Sequence, residues 1–221
     1  KLPLYIKGEI KPDTFETEGN ISSQFITGLL YTLPLLDDDS KIIIKNNLES
    51  KGYIDLTLEI LKLAGIEITN NDYKSFDIKG NQKYSAFDYT VEGDYSQAAF
   101  WIVAGILGDE MNCKNIYKDS LQGDKEIIEI VQRMGAMLEI SEKSVKVFPG
   151  KTKGTVIDIS QCPDIGPILT VLAALSEGET RIINAERLRI KESDRITSIK
   201  TELNKLGAKI EEDGDSLIIQ G

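Results

Sequence analysis

The chain contains no histidine. That removes the side chain whose charge ordinarily changes near neutral pH, so acid-base work falls to Asp, Glu, Lys, Tyr or water. A Ser-His-Asp hydrolase is excluded for this stretch. Cysteine is nearly as scarce: Cys113 and Cys162 lie 49 residues apart, with no CxxC spacing and no histidine to complete a metal set. Both read as buried small hydrophobes. Long apolar runs are missing too, since Ala98 to Leu107 is about half of what a bilayer-spanning helix needs. Cationic charge is in deficit, with 26 Lys and Arg against 36 Asp and Glu and a net charge of -10. No general nucleic-acid or anionic-membrane partner is expected, because both require a cationic face. The chain has neither an initiator methionine nor a leader segment, so we expect it to be a piece of something longer.

What is present is the composition of an ordinary globular protein, 41% hydrophobic and 28% charged over 221 residues. Disorder and collagen-like classes are excluded. Short apolar strands alternate with amphipathic helices, and the order recurs. Helices are expected over 21–36, 53–64, 95–107, 125–134, 165–175 and 193–206, with strands at 41–45, 76–79, 113–117, 144–148, 181–184 and 216–220. Gly65, Gly135 and Gly207 each follow a helix and precede an apolar strand, 70 and 72 residues apart. One helix-ending glycine means little, but three in register mean an internal repeat. Each unit reads as strand-helix-strand-helix-strand, an α/β module that must pack against its neighbours. The stretch from Phe87 to Gly93 interrupts the pattern and marks a boundary, with 1–88 on one side and 89–221 on the other.

One stretch reverses the acidic trend. Arg181, Arg187, Arg189, Lys191 and Arg195 place five cations within fifteen residues, which suits a small anionic ligand. Ser193 is the expected cap of the helix that follows, whose buried stripe would be Ile196, Ile199, Leu203 and Leu206. Lys191 and Glu192 then lie on the entering loop. Arg195 falls in the first turn, where a cation opposes the helix dipole, a placement that makes sense if an anion occupies the space. Gly19-Asn20-Ile21-Ser22-Ser23-Gln24 supplies small polar residues at another helix start, and Pro163-Asp164 opens a third. Taken alone, each of these two is explained by capping.

The run Arg187-Leu188-Arg189-Ile190-Lys191-Glu192-Ser193-Asp194-Arg195 resembles a signature of the 3-phosphoshikimate 1-carboxyvinyltransferases, or 5-enolpyruvylshikimate-3-phosphate synthases. Leu2-Pro3-Leu4, Ser22-Ser23-Gln24-Phe25, Ser50-Lys51-Gly52-Tyr53-Ile54-Asp55 and Pro163-Asp164 match in the family's order. The resemblance covers essentially the whole chain. It implies a two-domain fold in which each domain holds three repeated α/β units, with helix N-termini converging on the interdomain cleft. Residues 1–88 would be the last unit of the first domain and 89–221 two units of the second, with a hinge near 87–93. It also implies that Ser22, Ser23, Gln24, Ser50 and Lys191 contact shikimate 3-phosphate, with Tyr53 a weaker candidate, and that Gln24 and Arg195 reach phosphoenolpyruvate. Asp164 and Glu192 correspond to the family's acid-base carboxylates. No metal or organic cofactor is implied. The full-length enzyme would be a cytoplasmic monomer. The piece alone would be inactive or nearly so, because the family's flanking cationic segments are missing from it, and prone to self-association, because a first domain cut to one repeat unit exposes apolar faces that its neighbours would cover.

This chain departs from the pattern at Arg187, where many members carry Asn, and no substrate role is assigned there. The alternatives are the enolpyruvyl transferase that acts on a UDP-linked amino sugar, and a noncatalytic anion-binding fragment. Gly150-Lys151-Thr152 lacks the earlier glycine of a phosphate loop. The sequon Asn20-Ile21-Ser22 has no secretory context. Phe100 and Trp101, inside an apolar helix, read as core.

Overall fold

The structure, a computed structural model, describes residues 3 to 221, so Leu2 of the Leu2-Pro3-Leu4 match lies outside the described residues. It divides into two compact units, one ending at Asp88 and the other beginning at Tyr89.

The first unit runs β1 (Thr14–Glu18), α1 (Ser23–Thr32), β2 (Ser40–Lys45), α2 (Lys51–Leu63), β3 (Ile68–Asn71) and β4 (Ser75–Ile78). Alternation in β2 turns Ser40, Ile42 and Ile44 inward, the period of two that a strand imposes. The sheet order is β1-β2-β4-β3, with β1 parallel to β2 and the remaining pairs antiparallel. Ile26 and Leu30 of α1 and Ile54 and Leu61 of α2 close a core with Ile42, Phe76 and Ile78. The helix expected over 21–36 is shorter than its apolar run, because a 3-10 turn at Leu33–Leu35 containing Pro34 takes over from it.

The second unit contains α3 (Tyr95–Leu107), β5 (Met111–Lys114), α4 (Ile127–Arg133), β6 (Met137–Ser141) and β7 (Ser144–Phe148). It continues with β8 (Val156–Asp158), α5 (Gly166–Ala174), β9 (Glu179–Ile183), α6 (Arg195–Lys205), β10 (Lys209–Asp213) and β11 (Ser216–Gln220). Two sheets result, β5-β7-β6 and β10-β11-β9-β8, and in the second β8 runs parallel to β9. One continuous core joins both, from Ala99, Ile102 and Ile106 of α3 to Leu169 and Leu172 of α5.

The strand read after each register glycine and the strand expected next both form, one more than the strand-helix-strand-helix-strand shorthand counts at the end of a unit. After the second helix each copy closes with an antiparallel hairpin, β3-β4, β6-β7 or β10-β11. The register glycines occupy the left-handed region, with φ of 80° at Gly65, 99° at Gly135 and 97° at Gly207. Glycine adopts that conformation without the strain that a side chain brings to it. Asn46, Asn115 and Asn184 also have positive φ, at 62°, 62° and 56°, directly after β2, β5 and β9.

Phe100 and Trp101 are not core. They are 49% and 59% exposed, and with Gln97, Ala104 and Leu107 they form the outward stripe of α3. Ala98, Ala99, Ile102, Val103 and Ile106 fill its inward face, and at 3.6 residues per turn positions 100 and 101 point away. Cys162 is fully buried as expected, while Cys113 on β5 is half-buried against the core. Burial pushes both thiols above their ordinary range. No helix among the described residues is long and apolar enough to cross a membrane.

Candidate functional site

In the first unit the parallel pair β1 and β2 feeds two helices from the same strand ends. Gly19 N donates to Lys45 O at 2.9 Å and Glu49 N donates to Gly19 O at 3.1 Å, so the two outgoing loops are stitched together. Gly19 is required for that approach: a Cβ would lie 2.7 Å from Ile44 Cγ2 and 2.9 Å from the Asn47 carbonyl. The loop end of a parallel strand pair is where open α/β sheets place ligands. Ser22 caps α1, its hydroxyl accepting from Gln24 N at 3.3 Å, and Ser23 and Gln24 form the first turn. Ser50 precedes α2 in the left-handed region, with φ 55° and ψ 44°, and is only 3% exposed. Such a backbone in a non-glycine residue costs energy and tends to persist at functional positions. Tyr53 lies in the first turn of α2. The helices themselves are tied by the Thr27 and Thr57 hydroxyls, 3.2 Å apart. Ser22, Ser23, Gln24, Ser50 and Tyr53 therefore share one edge of this unit.

The same unit carries a groove of about 1080 Å³ lined by Leu58, Leu61, Ile66, Ile68 and Ile78. None of the residues named above borders it, and its rim charges pair with one another, Lys41 with Asp77 at 2.9 Å and Lys79 with Asp39 at 2.8 Å.

The second unit repeats the arrangement at β8 and β9. Asn184 Nδ2 donates to Asp158 Oδ2 at 2.8 Å, linking the loop that leaves β9 to the end of β8. Burial works to raise the Asp158 carboxyl, but the Ser160 and Asn184 hydrogen bonds outweigh it and hold the group below the usual range. From these two loops four side chains converge. Asp164 Oδ1 accepts from Arg195 at 2.9 Å and pairs with the Lys191 ammonium at 3.1 Å, while Arg195 also donates to Glu192 Oε2 at 2.7 Å. Lys191 and Arg195 are about one-quarter exposed and Glu192 is 79% exposed. Hydrogen bonds from its own backbone N–H and from Arg195 hold the Glu192 carboxyl low. Burial alone would lower the Arg195 pKa, yet the Glu192 and Asp164 carboxylates keep it raised. Two cations and two carboxylates thus form a mutually neutralised group. It can offer donors to an anion and carboxylates to a proton transfer.

Local roles differ from the sequence reading in several places. The cap of α6 is Asp194 rather than Ser193, accepting from Thr197 N at 3.1 Å and Thr197 Oγ1 at 3.0 Å. Asp164 does not cap α5; it lies in the 3-10 turn Pro163–Ile165 with its carboxylate turned to Arg195 and Lys191. Ile196 is buried and Ile199 and Leu203 pack against the core, but Leu206 follows the end of α6 and is 84% exposed. Of the five clustered cations, Lys191 and Arg195 form the group. Arg181 pairs with Glu179 on β9 at 2.7 Å, Arg187 is 5% exposed, and Arg189 is engaged elsewhere. The left-handed asparagines escaped sequence reasoning, although Asn46, Asn115 and Asn184 recur every 69 residues. That spacing was the available signal.

The family model for EPSP synthase (3-phosphoshikimate 1-carboxyvinyltransferase) matches residues 1–221. A 3-phosphoshikimate 1-carboxyvinyltransferase of Clostridium perfringens is 62% identical over 221 residues, covering 100% of this chain and 52% of that protein. The one from Clostridioides difficile is 58% identical, with 51% of that protein covered. The chain spans about half the length of the curated relatives it matches. Among solved structures, EPSP synthase from Acinetobacter baumannii superposes with a TM-score of 0.77 at 22% identity, over 96% of this chain and 49% of the other. The enolpyruvyl transferase NikO from Streptomyces tendae gives 0.70 at 18% identity, over 95% and 51%. At those identities the structures speak for the fold, an enolpyruvyl transferase α/β architecture. The match of the family model over the whole chain decides the family: this chain belongs to the EPSP synthases, the 3-phosphoshikimate 1-carboxyvinyltransferases.

Proposed function

We propose that the full-length protein transfers the enolpyruvyl group of phosphoenolpyruvate to the 5-hydroxyl of shikimate 3-phosphate. The observation that carries this reading is the group formed by Asp164, Lys191, Glu192 and Arg195 on two loops of one unit. One carboxylate removes the hydroxyl proton as the oxygen attacks the substituted carbon of phosphoenolpyruvate, and an acid delivers a proton to its methylene carbon. The tetrahedral adduct then loses phosphate by C–O cleavage while a proton leaves the new methyl group. Lys191 takes shikimate 3-phosphate together with Ser22, Ser23, Gln24, Ser50 and Tyr53. Arg195 and Gln24 take phosphoenolpyruvate. An anion that draws Arg195 away from Glu192 removes part of what holds that carboxyl ionised, so substrate binding itself readies Glu192 to carry a proton.

On the same reading, the unit ending at Asp88 is the last repeat of the first domain and the unit from Tyr89 is two repeats of the second. Segment 87–93 is the hinge. The test is phosphate release by the full-length protein given both substrates, with the enolpyruvyl product identified by mass. Release with UDP-N-acetylglucosamine but not with shikimate 3-phosphate would move the protein to the other transferase. Release with neither would leave an anion-binding module.

A further inference from the structure

Arg189 stands in the 3-10 turn Glu186–Ile190, two residues before Lys191. In a run of cations beside an anion site, its guanidinium would be expected to face the ligand. Instead all three of its nitrogens are engaged within the unit. Nε donates to Asp215 Oδ1 at 3.0 Å and NH1 to Asp194 Oδ2 at 3.0 Å. NH2 donates to the Gly214 carbonyl at 2.7 Å and to Glu212 Oε2 at 3.3 Å.

These partners come from two places. Glu212, Gly214 and Asp215 belong to the β10-β11 hairpin and its turn, which is anchored in the sheet by the pairing of β11 with β9. Asp194 caps α6 and immediately precedes Arg195. The Arg189 side chain therefore bridges the loop at both ends, and the backbone between carries Lys191 and Glu192. Residues 191–194 belong to neither helix nor strand, so no ladder of backbone hydrogen bonds fixes them. Ala185 N, at the entrance to the turn, donates to Asp215 O at 3.0 Å and fastens the same hairpin from the other side.

We infer that Arg189 is a positioning residue whose guanidinium holds the Lys191-to-Arg195 segment against the β10-β11 turn. It thereby sets where the Lys191 ammonium and the Arg195 guanidinium stand relative to Asp164. This rests on the reading of that group given under Proposed function. A planar fork with donors in three directions suits the acceptor set, whereas a lysine ammonium supplies the charge without the directions. Partly exposed ion pairs contribute little stability each, so the network matters mainly through geometry. Misplacing reacting groups by a fraction of their contact distance slows a reaction far more than it weakens a fold.

The experiment uses the full-length protein and the variants R189Q, R189K, R181Q and R195Q, with kcat, both KM values and the thermal midpoint measured for each. R189Q is expected to stay folded with kcat lowered about 10- to 100-fold at saturating substrates, since misplacement of about 1 Å can cost about 10²-fold. R189K should fall with it, because charge alone does not restore the fork. R181Q, which loses only an exposed pair with Glu179, should match the parent. A kcat for folded R189Q within about twofold of the parent, even with a lowered melting point, would make Arg189 merely structural and overturn the inference. Full activity in R195Q would instead bring down the reading of the site itself. If R189Q does not fold, D215A removes the acceptor of Arg189 Nε, and an unchanged kcat there overturns the inference equally.

Discussion

Arg195 donates to Asp164 Oδ1 at 2.9 Å across 31 residues of sequence. The contact joins the loop after β8 to the start of α6 and explains how a cation can occupy a first helical turn against the dipole. Asp164 and Glu192 supply negative charge that offsets the repulsion of Arg195 by the positive helix end. On the proposed function, an entering anionic substrate would compete with those carboxylates for Arg195 and Lys191.

Removing either carboxylate should therefore affect turnover more than binding. In the full-length protein, Asp164→Ala and Glu192→Gln are each expected to lower kcat by about 10²- to 10⁴-fold, the range for loss of a general acid or base. Affinity for shikimate 3-phosphate should change far less. Steady-state kinetics with equilibrium titration of each variant checks this, and near-normal kcat returns the residue to a surface charge.

Gly19→Ala is expected to destabilise the first unit by about 1–3 kcal/mol, because the new methyl has no room between Ile44 and the Asn47 carbonyl. The loops it separates also carry Ser22 and Ser50, so shikimate 3-phosphate should bind more weakly as well. Denaturant unfolding and ligand titration read the two effects separately. A variant as stable as the parent would mean that the loops can part without cost.

The two faces of α3 should respond oppositely to truncation. Ile102→Ala, at a fully buried position, should cost about 2–5 kcal/mol, whereas Trp101→Ser on the exposed stripe should cost no more than about 0.5 kcal/mol in this chain. Chemical denaturation of both variants decides it. Equal losses would mean that Trp101 is covered.

Acid should weaken the α6 cap. The Thr197 backbone N–H foremost, then its hydroxyl and Arg189, hold the Asp194 carboxyl below its ordinary value in the folded chain. The folded state thus binds this proton less readily than the unfolded one. Its contribution is fully present above the unfolded pKa of about 3.9 and is lost as pH falls through the lower folded value. Asp194→Asn keeps an acceptor for Thr197 N but has no such titration. Thermal midpoints from pH 6 downward should fall less steeply below about pH 4 in that variant than in the parent. Parallel curves would remove Asp194 from the acid response.

Much of this was legible in one dimension because the signals were periodic or local. The helix at Tyr95–Leu107 and the strand at Ser144–Phe148 agree with their expected spans to the residue. The first strand of each hairpin was read after its register glycine but without bounds, because these strands are short, at four or five residues. The choice of Ser193 over Asp194 as a cap failed for a related reason. Both residues can cap, and the Arg189 side chain reaching Asp194 comes from tertiary packing.

By itself the sequence determined the repeat and the family: the glycine register and a nine-residue mixed-charge run need no coordinates. Apart from the family resemblance, spacing alone could not say which of five nearby cations would pair with Asp164. Arg181, Arg189 and Arg195 differ little as sequence neighbours, but one lies along a strand beside Glu179, one is enclosed by a hairpin, and one meets Asp164. The facing of Trp101 was also missed, since residues 98–107 hold no polar side chain and only Gln97, one turn earlier, marks the outward stripe. Those outcomes depend on which distant segments fold back to the same place. That is decided by the packing of strands and helices around a shared core, not by spacing along the chain.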